Sequence, residues 1–103
     1  MAAKMHIKLI NRGEEGELLL AGQLDSATAP EVEEIVLQVV DRFDTVILNM
    51  AQLEYISSAG LRILKLSYMA LRKKDGELKL KNVNKMIMEV FEMTGFAGLL
   101  TFI

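Results

Sequence analysis

The chain has 103 residues, enough for one domain with one core, and its 51% hydrophobic and 25% charged composition is that of an ordinary globular protein. A formal net charge of −2 gives no electrostatic case for nucleic-acid binding, and the absence of cysteine excludes disulfides, thiolate metal sites and thiol catalysis and fits a reducing compartment. No apolar run approaches a membrane span, and Met1-Ala2-Ala3-Lys4-Met5 lacks the apolar core of a signal peptide, so a cytoplasmic protein without membrane contact is expected.

Met5 to Ile10 alternates as a first strand, with Met5, Ile7 and Leu9 on one face and His6, Lys8 and Ile10 on the other. A polar turn with two glycines, Asn11 to Gly16, joins it to a second strand, Glu17 to Leu24, so the pair reads as an antiparallel hairpin. The run Leu18-Leu19-Leu20-Ala21 is apolar at every position, which predicts a strand buried on both sides. His6, the single histidine, falls on a predicted edge strand with no acid spaced as its partner and reads as a solvated side chain.

Gln23 to Glu31 turns the chain into a helix. Thr28 and Glu31 have capping-box spacing, and Pro30 falls in the first turn, where its missing N–H costs nothing. Asp25 reads, by itself, as a turn residue that holds its own backbone. Val32, Ile35, Val36, Val39, Val40 and Phe43 then recur at helical spacing as one stripe, the pattern of a helix covering a sheet on one side.

Thr45 to about Met50 reads as a third strand, with Ala51-Gln52-Leu53-Glu54 as a short connection. Next comes Tyr55-Ile56-Ser57-Ser58-Ala59-Gly60-Leu61, a run of small residues at a strand-to-helix turn. A serine there sits at or beside the helix N-cap, where its oxygen can accept a backbone N–H bond. The unpaired N–H groups and the helix dipole also make that turn hospitable to an anion, so a phosphate on Ser57 or Ser58 is tolerable there. By spacing alone, capping is the commoner role of such a serine pair.

The helix from Ala59 to Lys74 has a broad apolar arc, wide enough to pack on a neighbouring helix as well as a sheet. Lys74-Asp75-Gly76 ends it, with glycine as the stop. Glu77 to Lys81 alternates as a fourth strand, and Asn84 caps a third helix, Lys85 to Met93, with Ile87, Val90, Phe91 and Thr94 facing inward. Met86, Met88 and Met93 cluster there, as core gap-fillers or as an adaptable surface. Gly95 to Gly98 turns the chain into a short last strand, Leu99 to Ile103. The order β-β-α-β-α-β-α-β predicts an α/β fold: one domain over residues 1–103, a mixed sheet, and helices packed mainly on one face.

Tyr55-Ile56-Ser57-Ser58-Ala59-Gly60-Leu61 resembles the signature of the STAS domain in bacterial anti-sigma factor antagonists. Its common form is an aromatic or hydrophobic residue, Ile or Met, Asp, Ser, Ser or Thr, Gly, Leu. Gly22-Gln23-Leu24-Asp25 with Thr28-Ala29, Gly76-Glu77-Leu78-Lys79-Leu80 and Met93-Thr94-Gly95-Phe96 match further family positions, so the resemblance covers nearly the whole chain. It implies a STAS-like fold and a partner-switching regulator that binds an anti-sigma serine kinase. Phosphorylation of Ser58, matched to the family's modified serine, would end that binding, and a serine phosphatase would restore it. Ser57 stands in place of the family's Asp and is the less favoured modification site. Ala59 replaces the second hydroxyl residue, and Arg62 stands where many members carry glycine.

The partner surface that the resemblance implies comprises Asp25, Ser26, Thr28, Ser57, Ser58, Ala59, Gly60, Leu61 and Arg62. Asp25, Ser26, Ser58 and the start of the following helix are expected to form one contiguous exposed patch, since sites in open α/β sheets gather where strands end and helices begin. Arg62, four residues after Ser58, is placed to reach a phosphate on it. The alternative is a STAS-fold scaffold, never phosphorylated, in another signalling or transport assembly. An enzyme is not expected: Ser57-Ser58-Ala59-Gly60 is neither a nucleophile elbow nor a P-loop, and neither a cofactor nor a metal is implied.

Overall fold

The computed structural model describes residues 5–103. The reading of the extreme N-terminus as lacking a signal-peptide core lies, apart from Met5, outside the described residues. β1 (Met5–Asn11) and β2 (Glu15–Leu24) form the expected antiparallel hairpin, with Met5 opposite Gly22 and Asn11 opposite Gly16. α1 (Ala29–Arg42), β3 (Thr45–Ile56), α2 (Ser58–Lys73), β4 (Glu77–Lys81) and α3 (Lys85–Thr94) follow. A short 3-10 helix, Phe96–Gly98, then leads to β5 (Thr101–Phe102), shorter than the strand expected over Leu99 to Ile103. The five strands lie in the order β1-β2-β3-β4-β5, parallel from β2 onward. Each parallel step needs a crossover, and α1, α2 and α3 supply them.

The helices pack on one face of the sheet. That face carries Leu18 and Leu20 of β2, Val46, Leu48 and Met50 of β3, and Leu78 and Leu80 of β4, all buried. Val32, Val36, Val39 and Val40 of α1, Ile63, Leu64 and Leu71 of α2, and Ile87 and Phe91 of α3 close over them in one core. The broad arc of α2 is explained by a second neighbour: α2 also packs against α1, with Arg62 paired to Glu33 at the exposed rim and Lys74, just past the end of α2, donating from Nζ to the Val40 carbonyl.

The other face of the sheet is uncovered, which corrects the reading of β2 as buried on both sides: Leu19 and Ala21 are half-exposed there. The same face holds a group that no motif or spacing marks out. Glu17 is only 2% exposed, although it sits on the uncovered side. Its Oε1 accepts from Arg12 Nε at 3.1 Å, its Oε2 from Asn49 Nδ2 at 3.0 Å, and Lys81 Nζ stands 3.8 Å from Oε2. The Asn49 hydrogen bond above all, then the Lys81 and Arg12 charges, hold its carboxyl below the ordinary glutamate range against the opposing effect of burial. A carboxylate with a depressed pKa in the folded state adds stability above its unfolded pKa and loses it as pH falls through the folded one. Glu17→Gln is therefore expected to cost about 2 kcal/mol at neutral pH. It should also flatten part of the acid destabilisation that the lowered Glu17 pKa predicts for wild type. Urea unfolding of both proteins at neutral and acidic pH tests this, and equal gaps between them at both pH values would refute it.

β3 continues to Ile56, beyond the predicted end near Met50, and takes in the segment read as a connection. The β2–β3 register explains the miss. Leu19 pairs with Asn49 but Ala21 with Gln52, and Gly22 pairs with Leu53 but Gln23 with Tyr55. Each shift places an extra residue in β3. Burial there falls on Met50, Leu53 and Ile56, every third residue, and the alternation that marks a strand disappears.

Candidate partner-binding surface

β2 and β3 run parallel and end side by side, with Leu24 opposite Ile56. The Ser57 N–H donates to the Leu24 carbonyl at 2.9 Å, joining the two strand exits directly. Asp25 and Ser26 leave one strand and Ser58 leaves the other, on the same edge of the sheet. Ser26 and Ser58 are exposed and Asp25 half-buried.

The cap of α1 differs from the expected Thr28–Glu31 box. Asp25 Oδ1 accepts from the N–H of Ala27 at 2.9 Å and of Thr28 at 3.1 Å, and Thr28 Oγ1 accepts from the Asp25 N–H at 3.0 Å. That is the reciprocal capping box, set one turn earlier. Thr28 Oγ1 also donates to the Gln23 carbonyl at 2.8 Å, so the buried hydroxyl is held toward the strand exit and makes no cap bond to the N–H groups of α1. Asp25 thus has the local role its residue type implied, and that role fixes the loop beside Ser58.

Ser57 is the N-cap of α2 by backbone, with φ −99° and ψ 179°, and its carbonyl accepts from Leu61 N–H at 3.0 Å. Its side chain does not cap. The Ser57 Oγ is buried without a hydrogen-bond partner among the described residues, which corrects the expected serine cap. Ser58 occupies the first helical position and is exposed. The N–H groups of Ser58, Ala59 and Gly60 head the helix, with no preceding turn to accept from them.

Gly60 is required by space. A Cβ there would stand 2.7 Å from Ile56 Cγ1 and 2.7 Å from Leu24 Cγ. Those are the buried residues immediately before Ser57 and Asp25. Gly60→Ala gains helix propensity but overpacks this corner, and the net is a loss of about 1–2 kcal/mol. Calorimetry checks it; an alanine variant as stable as wild type would contradict the packing argument.

Arg62 is not turned along α2 toward Ser58. Its Nη1 donates to Glu33 Oε1 at 2.9 Å, across to α1. Neither the partner nor the direction was legible beforehand, because Glu33 and Arg62 are 29 residues apart and no local pattern links them. Leu61 is half-buried beside it, and Ala59 likewise. A cleft of about 360 Å³ lies at the opposite end of the sheet, between the end of α2 and the start of β4. At the serine turn Ser58 and Ser26 face solvent.

The STAS domain profile matches residues 9–103. BtrV of Bordetella bronchiseptica, assigned as an anti-sigma factor antagonist, is 40% identical over 81 residues, 78% of this chain and 70% of its own length. The chain belongs to the STAS domain family of anti-sigma factor antagonists. The anti-sigma-B factor antagonist of Staphylococcus aureus is 32% identical over 85 residues, 82% of this chain and 79% of that protein. The anti-sigma factor antagonist SpoIIAA in its unphosphorylated form superposes with a TM-score of 0.82 at 18% identity, covering 95% of this chain and 88% of SpoIIAA. The five-stranded mixed sheet with its three helices is therefore the STAS fold. STAS anti-sigma factor antagonists are regulatory binding proteins, and this protein is one of them rather than an enzyme.

Among the described residues no helix is long and apolar enough to cross a membrane, and no group of three or more His, Cys, Asp and Glu is placed to hold a metal.

Proposed function

We propose that the protein is a cytoplasmic, bacterial partner-switching regulator. It binds an anti-sigma factor serine kinase through the edge formed by Asp25, Ser26 and Thr28 with Ser57 to Arg62, and phosphorylation of Ser58 by that kinase ends the binding. A serine phosphatase reverses the modification. The relatives named as anti-sigma factor antagonists support the partner class, and SpoIIAA has also been solved in a phosphorylated form, with a TM-score of 0.73 to this chain.

The observation that carries the choice of residue is the contrast between the two serines. The Ser58 side chain is exposed at the head of α2, whereas the Ser57 Oγ is buried and closed to a kinase. A phosphate on Ser58 meets the free N–H groups and the positive end of the helix dipole, so it costs the folded monomer little. In a packed interface the same phosphate brings about two negative charges that must be desolvated or repelled. Incubation with ATP and a kinase encoded beside this protein, followed by intact-mass measurement, tests the reading. Phosphate incorporation should be lost in Ser58→Ala and retained in Ser57→Ala. The reverse pattern would overturn the assignment.

One departure keeps a second reading in view. Ser57 occupies the place of the family's Asp, and a scaffold of the same fold that is never phosphorylated would give no mass shift in any variant while still binding a partner.

A further inference from the structure

We infer that Arg62 is a two-position charge latch between α1 and α2: it pairs with Glu33 while Ser58 is unmodified and turns to the phosphate when Ser58 carries one, leaving Glu33 unpaired. The inference rests on Ser58 as the modified residue and says how that modification is read out beyond its own position.

The resting position is given directly by the 2.9 Å bond from Arg62 Nη1 to Glu33 Oε1. The pair is solvated, with the Arg62 side chain 67% exposed and Glu33 32%, and such pairs are the weakest class of ion pair. One donor of the guanidinium is engaged, and the fork has five. The second position follows from helix geometry. Ser58 is the first residue of α2 and Arg62 lies four residues on, so their side chains are neighbours on one face. Arg62 is also the sole cationic side chain in the first seven residues of α2. Asp25, the acid across the edge, is committed to its own capping box and does not compete for the guanidinium.

A phosphate of about two negative charges with three acceptor oxygens outcompetes a single solvated carboxylate for a bidentate guanidinium. The exchange changes what a partner meets. Before modification, Glu33 and Arg62 present a neutral pair. Afterwards the phosphate is partly neutralised at α2, and an unpaired carboxylate appears one helix away on α1. The charge change is spread over both helices instead of remaining at one serine. The partner surface thereby extends to Glu33, a residue that neither the signature turn nor its spacing marks.

The test installs phosphoserine at position 58 by expanded-code translation, so it depends on no kinase. Phosphorus NMR then follows the second ionisation of the phosphate in wild type, Arg62→Gln and Glu33→Gln. Removing the arginine should raise that pKa by about half a unit, because the dianion loses its counter-charge. Removing Glu33 should lower it, because the competitor for Arg62 is gone. An unchanged value in either variant, or a rise in Glu33→Gln, overturns the latch. Both side chains are solvated, and circular dichroism confirms that the variants fold. Failure to be phosphorylated by any kinase would sink the proposed switching function and leave this titration intact. A flat titration would sink the latch alone.

Discussion

Ser58→Asp is expected to weaken binding to the proposed anti-sigma partner by about 30- to 150-fold, the effect of about 2–3 kcal/mol for a charge forced into a packed interface. The reasoning begins with position. Ser58 is exposed at the head of α2, on the edge where β2 and β3 end together, and the Ser57 N–H to Leu24 bond fixes that juxtaposition. An acid at the first turn of a helix suits the dipole, so the variant should fold at least as well as wild type. The loss should therefore appear in affinity and not in stability. Isothermal titration with the partner, alongside thermal melts of the free protein, separates the two. Binding as tight as wild type would remove Ser58 from the interface. Ser57→Asp should behave differently: it forces a carboxylate to where the Ser57 Oγ is now buried without a partner, so its cost should appear in the melt.

Gly76→Ala should cost about 3 kcal/mol or more and lower the melting temperature by about 15 °C, through a backbone clash that no side-chain movement relieves. A Cβ at Gly76 would overlap the carbonyl oxygen of Asp44, with Leu71 Cδ2 3.0 Å away. That carbonyl accepts the Glu77 N–H at 2.8 Å and stands just before the point where Thr45 of β3 pairs with Glu77 of β4. Making room for the methyl group pulls the two strands apart at their start. The helix stop itself is elsewhere than expected. Asp75, with φ +58°, takes the left-handed position, and the Gly76 N–H closes the end of α2 on the Leu71 carbonyl at 2.7 Å. Asp75→Gly should consequently be neutral or mildly stabilising, since glycine accepts that φ without strain. Differential scanning calorimetry of the two variants decides between space and backbone conformation. A Gly76→Ala protein melting with wild type would show that Asp44 can yield.

By itself the sequence determined the element order, the family and the identity of the serine turn. Those rest on local signals: the alternation of Met5 to Ile10 and of Glu77 to Lys81, the helical stripe of Val32 to Phe43, and the Asn84 cap, whose side chain does accept the Ile87 N–H at 2.8 Å. Each is a property of residues a few positions apart, where period and capping chemistry act. The methionines were legible only as a choice between core and surface; Met86 and Met93 proved 55% and 87% exposed, because α3 is short and only one stripe of it meets the core. Tertiary structure decided what depends on partners distant in sequence. The length of β3 is set by its bulged register against β2, which destroyed the pattern that would have announced it. The burial of Glu17 needs Asn49, 32 residues away, and the rest of a three-strand polar cluster. Which serine is open and which is closed depends on the backbone angles where two strands exit together, and no composition or spacing distinguishes two adjacent serines. Arg62 faces Glu33 rather than Ser58 because α1 and α2 pack side by side on the same face of the sheet, a relation between crossovers that no local window contains.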